Sequence, residues 1–142
     1  MKTSAKFVEF IIKNAENGSP EHQCVLGQMY YNGTDLPTDY KKAVYWLKKS
    51  YGKCYKANSY LAKCYMNGHG VDKNIEKAID LYYEAIKSND DIGYYDLAHC
   101  YKYGTGVNKD PLYSNYLLLK SAELGYSPAQ EETGLAFKKM KK

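Results

Sequence analysis

The chain contains no arginine; all 20 of its basic residues are lysines. Without guanidinium forks, bidentate contacts to phosphates or guanine edges are ruled out, and a nucleic-acid partner is disfavoured. The formal net charge of +4 does not restore one, because Lys138, Lys139, Lys141 and Lys142 account for the whole excess and leave the body near neutral. Long apolar runs are missing too. Phe10, Ile11 and Ile12 follow Lys2 and Lys6 near the amino end, a run too brief for a signal peptide and without a small-residue cleavage site. No segment approaches the ~20 apolar residues that span a bilayer. The expectation is an intracellular, soluble protein with no membrane partner, secretion remaining open. Histidine is scarce, with three in all. No Ser-His-Asp set, Cys-His dyad or carboxylate pair recurs at a plausible spacing, so the chain is read as no enzyme and as needing no cofactor.

What the chain has in quantity is tyrosine, 17 residues against three phenylalanines and one tryptophan. Each offers a large apolar ring and one hydroxyl that needs a partner or water, which suits helix interfaces near the surface. Tyr30, Tyr65 and Tyr101 are placed 35 and then 36 residues apart. Around them Leu26-Gly27, Leu61-Ala62 and Leu97-Ala98 precede, and Gly33, Gly68 and Gly104 follow. A period of this length belongs to stacked two-helix units.

Each glycine ends a helix, where a left-handed residue is least strained without a side chain. Two positions later stand Asp35, Gly70 and Gly106, then Leu36, Val71 and Val107. Aspartate tolerates positive φ better than most residues, so the first loop is expected to keep the shape of the others. Asp39, Asn74 and Asp110 are in register as helix N-caps, each followed four places on by a small residue, Ala43, Ala78 and Ser114. Before the first repeat, Phe7, Phe10 or Ile11, and Ala15 suggest a closing helix over 4–16, and Ser19-Pro20-Glu21 starts the next. Ser127-Pro128-Ala129-Gln130 starts a last helix over about 127–139 that includes Thr133, Gly134 and Phe137.

A small residue (Ala57, Gly93, Ala129), Leu with Gly or Ala, a Tyr, Gly-x-Gly-Val and Lys42-Ala43-Val44-Tyr45-Trp46 together resemble the Sel-one-like repeat of the tetratricopeptide superfamily. His22 and Asp35 depart from the pattern. The resemblance implies an all-α fold: a right-handed α-α solenoid of antiparallel helix pairs, about eight helices in one domain, 1–142. Its parts would be a closing helix at 4–18, repeats at about 19–54, 55–89 and 90–125, and a terminal helix at 126–142. It also implies an adaptor that binds a protein or peptide through a concave face, as a monomer or with weak self-association through the end helices.

Transfer of the superfamily's groove positions selects Cys24, Gln28, Tyr31 and Asn32, then Ser59, Lys63, Met66 and Asn67, then Tyr95, His99, Lys102 and Tyr103. The sharper candidates are Gln28, Tyr31, Lys63, Met66, Tyr95, His99, Lys102 and Tyr103, a mixture of aromatic, thioether and cationic groups suited to an adaptable contact surface. The alternative function comes from secreted relatives that bind or hydrolyse β-lactams, since Ser50-Tyr51-Gly52-Lys53 matches Ser-x-x-Lys. Ser50 there closes a helix where the chemistry needs it to open one. Cys64, His69, His99 and Cys100 are the candidate metal ligands, but His99 and Cys100 point about 100° apart on a helix, and no metal is expected. Cys24, Cys54, Cys64 and Cys100 are read as reduced, with Cys54 in a linker that has no counterpart in the other repeats.

Overall fold

The computed structural model describes residues 2–135, with side chains from Ser4 onward. The helices are α1 (Lys2–Glu16), α2 (Pro20–Asn32), α3 (Tyr40–Ser50), α4 (Tyr55–Asn67), α5 (Ile75–Lys87), α6 (Asp91–Tyr103), α7 (Pro111–Glu123) and α8 (Ser127–Thr133). The described residues fall into two compact units divided within α5, between Ala78 and Ile79. No helix among the described residues is long and apolar enough to cross a membrane.

The loops after α2, α4 and α6 are built alike. Gly33, Gly68 and Gly104 adopt φ near +70° and donate their amides to Met29, Cys64 and Cys100. Asp35, at φ 62°, takes the conformation that Gly70 and Gly106 take at 74° and 71°. The loops close on the repeat tyrosines: the amides of Asp39, Asn74 and Asp110 donate to the carbonyls of Tyr30, Tyr65 and Tyr101, each at 2.9 Å. The same three side chains then cap the following helices, accepting from Lys42, Lys77 and Tyr113 at 3.0–3.1 Å. The residue twelve beyond each tyrosine covers its ring. Lys42 lies over Tyr30 and Lys77 over Tyr65, with the ammonium 5.5 and 5.1 Å from the ring centre, while Tyr113 meets Tyr101 edge-on at 4.8 Å.

In the first unit α2 packs against α1, α3 and α4, and α3 against α4. Val8, Ile11 and Ala15 of α1 meet Leu26 and Met29 of α2, with Leu36 and Trp46 packed beside them. Phe7 and Phe10 are exposed, so the buried face of α1 runs through 8, 11 and 15: Ile11 and Ala15 lie on it as expected, and Val8 takes the place of Phe7. Phe10 instead lies edge-on to His22, centroids 5.4 Å apart, and shields the half-buried ring that replaces the usual small residue. Gly27 allows close approach: a Cβ there would meet Leu47 Cγ at 2.7 Å.

In the second unit α7 packs against α6 and α8. Leu97, Leu117, Ala122 and Ala129 are fully buried, and Ser114 Oγ donates to the Ala98 carbonyl at 2.7 Å. The hydroxyls of Tyr83 and Tyr101 are hydrogen-bonded, and burial, followed by that bond, pushes the Tyr83 phenol upward. The last helix differs from expectation at both ends. Its N-cap is Tyr126 and not Ser127, and it stops at Thr133 because Gly134 turns left-handed at φ 68°. Thr133 stands where the repeats carry leucine and bonds back to the Ala129 carbonyl at 2.8 Å, so this turn lacks the buried anchor that Leu26, Leu61 and Leu97 supply. Phe137 and the lysines from Lys138 lie outside the described residues.

Candidate functional site

Two of the eight selected residues, Tyr31 and Lys63, meet in the first unit around Tyr60. Tyr31, near the end of α2, is half-buried, edge-on to Tyr60 at 5.5 Å and to Tyr40 at 5.3 Å between centroids. Lys63, one turn along α4 from Tyr60, places its ammonium 5.3 Å from the ring centre, and Asn32 donates to the Tyr60 hydroxyl at 3.2 Å. His69, carried by the loop after α4, lies flat on Tyr40 with centroids 4.0 Å apart, and its Nδ1 is 3.3 Å from the Tyr31 hydroxyl. Edge-to-face contacts set the positive rim of one ring against the negative face of another, and each such pair contributes about 0.5–1.5 kcal/mol beyond its area. Gln28 turns along its own helix and donates to Cys24 Sγ at 3.4 Å, and Met66 is half-buried.

In the second unit three of the four selected residues converge on one carboxylate. Tyr95 donates to Glu132 Oε1 at 3.2 Å, His99 Nε2 lies 3.1 Å from the same oxygen, and Lys102 Nζ lies 3.8 Å from Oε2. Tyr95 packs against His99 at 4.6 Å and Tyr126 at 5.1 Å, and burial first, the Glu132 charge second, raise its phenol above the usual range. Tyr103 is 65% exposed, its ring inclined by 24° to that of His99 at 6.0 Å, with the Lys102 ammonium 5.4 Å from its ring centre.

Two residues placed on this face by transfer are not there. Cys24 and Ser59 are wholly buried, and Ser59 Oγ donates to the Lys56 carbonyl at 3.1 Å. Conversely, Tyr40, Tyr60, His69, Tyr126 and Glu132 belong to the clusters although nothing in the sequence singled them out for this surface. Ser50 offers no nucleophile: it is fully buried, and its hydroxyl is directed to the Trp46 and Leu47 carbonyls, each at 3.2 Å. Of the candidate metal ligands, Cys64 and Cys100 are buried thiols, pushed up by desolvation to about 12 and about 11. His69 and His99 are engaged in the aromatic clusters.

A family model for the Sel1 repeat matches residues 20–51, 56–90 and 92–126. Among curated proteins, the chain is 38% identical over 98 residues to the ERAD-associated E3 ubiquitin-protein ligase component HRD3B of Arabidopsis thaliana, an overlap covering 68% of this chain and 15% of that protein. It is 28% identical over 107 residues to the alginate biosynthesis protein AlgK of Pseudomonas syringae pv. tomato, covering 75% of this chain and 23% of the relative. The chain thus spans less than a quarter of the length of either. Among solved structures, a Sel1 repeat protein from Oxalobacter formigenes superimposes with a TM-score of 0.80 at 24% identity, over 88% of this chain and 50% of that one. Three matched repeats, the recurrent loop and cap geometry, and this all-α solenoid likeness agree, and the chain belongs to the Sel1 repeat family.

Proposed function

We propose that this chain is a non-catalytic interaction module that holds a protein or peptide on the aromatic and cationic faces of its first-in-pair helices, α2 and α4 in one unit and α6 in the other. Sel1 repeat proteins generally mediate protein–protein interactions, and the plant relative is an E3 ubiquitin-protein ligase component. The observation that carries the reading is that each unit offers the same kind of surface from equivalent helices. Tyr31, Tyr60 and Lys63 gather in the first, and Tyr95, His99, Lys102 and Tyr103 in the second. Aromatic rings bring large contact area at low entropic cost, and the neighbouring ammonium groups favour acidic or carbonyl-rich segments of a partner.

Affinity capture from the native cell with the wild-type chain and with Tyr103→Ala tests this. Tyr103 is the cleanest probe because its ring is mostly in water, so its loss should leave the melting temperature within about 2 °C, the scale of a surface change below ~0.5 kcal/mol. Partners lost with Tyr103→Ala at unchanged stability support the reading. Partners retained equally by Tyr103→Ala and by Lys63→Ala would remove it.

A further inference from the structure

A cavity of about 760 Å³ opens beside the loop that follows α4, and none of Tyr31, Tyr60 and Lys63 lines it. It lies wholly within the first unit. Its polar lining is Lys41, Lys73, Lys77, Asp72 and Asn74, and Tyr65 contributes an aromatic side. Three exposed ammonium groups therefore share one cavity with a single carboxylate, an excess of two positive charges. Glu76, beside Lys77 on α5, is not part of the lining.

The frame that carries these lysines is held by main-chain contacts. Lys41 and Lys77 stand on the first turns of α3 and α5, which Asp39 and Asn74 cap. Gly70 lies so close to the Tyr40 backbone that the loop rests on the start of α3, which brings Lys41 to the cavity. A Cβ on Gly68 would press on Lys73 Cβ at 3.4 Å, so the bare glycine leaves that lysine its place. The Lys77 ammonium is steadied over the Tyr65 ring, 5.1 Å from its centre.

The equivalent loops do not repeat this charge. In register, Lys73, Asn74 and Lys77 correspond to Thr38, Asp39 and Lys42 in the first repeat, and to Lys109, Asp110 and Tyr113 in the third. Lys41 corresponds to Glu76 in the repeat that follows it. The fold of the loop needs none of the three lysines, since its copies close in the same way without them.

We propose that this cavity binds a phosphate monoester. With a second ionisation near 6, such a group carries close to two negative charges at pH 7 and matches the excess in the lining, whereas a carboxylate supplies one. Lysine binds phosphate as a point charge and needs no guanidinium fork, so the absence of arginine does not weigh against the site. The volume is that of a small-molecule site and leaves room against Tyr65 for the group that carries the phosphate. That carrier is either a phosphorylated side chain of a protein segment or a small soluble ester, and the chemistry at the lysines is the same for both. The site is separate from the aromatic faces of α2, α4 and α6, so the failure of one reading leaves the other standing.

The test follows the amide resonances of the nitrogen-15-labelled full chain at constant ionic strength. The probes are inorganic phosphate, a phosphoserine peptide, the same peptide unphosphorylated, and acetate. Phosphate and the phosphopeptide should shift the amides of residues 68–77 and of Lys41, while acetate and the plain peptide should not. Lys41→Gln and Lys73→Gln should each weaken binding about two- to fivefold, the scale of one exposed charge contact. Lys48→Gln, on α3 but outside the cavity, should leave it unchanged. Binding should also weaken from pH 7 to pH 5 as the phosphate takes up its second proton. Tighter binding of the phosphopeptide than of inorganic phosphate assigns the site to a partner's side chain, and equal binding assigns it to a small ester. No shift around the loop, an equal shift with acetate, or an affinity untouched by both lysine variants overturns the proposal.

Discussion

Asn74 donates its amide to the Tyr65 carbonyl at 2.9 Å and accepts the Lys77 amide on its side chain at 3.0 Å, closing the loop after α4 and opening α5 with one residue. Asp39 and Asp110 do the same for Tyr30 and Tyr101. Only the side-chain half of this arrangement is removable by substitution. Asn74→Ala should cost about 1 kcal/mol, the usual worth of an N-cap, and lower the melting temperature followed by circular dichroism. Asn74→Asp should hold or slightly raise it, since a carboxylate suits the positive end of a helix. A melting curve unchanged by alanine would show that the backbone bond alone sets the loop.

Gly70 is constrained twice. Its φ of 74° disfavours any side chain, and a Cβ would run into the backbone carbonyl of Tyr40. Gly52 shares the first constraint, at φ 80°, and has nothing within 4 Å of a Cβ. Gly52→Ala should therefore lose only the ~1–2 kcal/mol of left-handed strain. Gly70→Ala should lose clearly more, because a main-chain atom cannot swing aside as a side chain can. Denaturant midpoints of the two variants measure the difference, and equal losses would mean that the first unit relaxes freely around that loop.

These loops and caps are the part of the fold that local chemistry writes into the chain. Asp39, Asn74 and Asp110 act on amides three residues away, and Gly33, Gly68 and Gly104 answer to their own φ, so residue type and spacing suffice to place them. What spacing cannot give is which side chain stands opposite which across two helices. Phe7 and Val8 at the start of α1 are both apolar, and only packing against Leu26 and Met29 chooses Val8. Ser59 looks like a surface serine until its hydroxyl is seen turned back to its own helix. Glu132 gave no signal: it becomes the focus of Tyr95, His99 and Lys102 only through the packing of the helices of the second unit.

The buried thiols give stability a pH dependence. Its interaction with Cys24, and after it the amides of Lys56 and Ala57, draw the folded Cys54 thiol below the ordinary thiol range, to about 6, so between the folded and unfolded values the unfolded chain binds more protons and stability rises with pH. The contribution is complete above the unfolded value and lost as pH falls through the folded one. Cys24 acts in the opposite sense: its raised folded value brings a loss of stability above about pH 9, where only the unfolded chain ionises. Under reducing conditions the urea midpoint should climb from pH 6 toward pH 8.5 and then level. Cys54→Ser should flatten the climb, and an identical profile in that variant would place the titrating group elsewhere.

Glu132 and Leu97 separate the surface of the second unit from its core. Leu97 is wholly buried on α6, and Leu97→Ala should cost about 2–5 kcal/mol through lost burial and the cavity left behind. Glu132 binds three partners, yet its side chain keeps 28% of its exposure and Lys102 keeps 49%. Solvent screens such pairs, so Glu132→Ala should cost less than about 1 kcal/mol, and less again in high salt. The small penalty matters for recognition, because a partner carboxylate could then replace Glu132 against His99 and Lys102 at little expense to the fold. Thermal denaturation of both variants at low and high salt decides it. A loss at Glu132 that matches Leu97→Ala and ignores salt would make this cluster a structural clasp for α8, and the candidate face of the second unit would shrink to Tyr103.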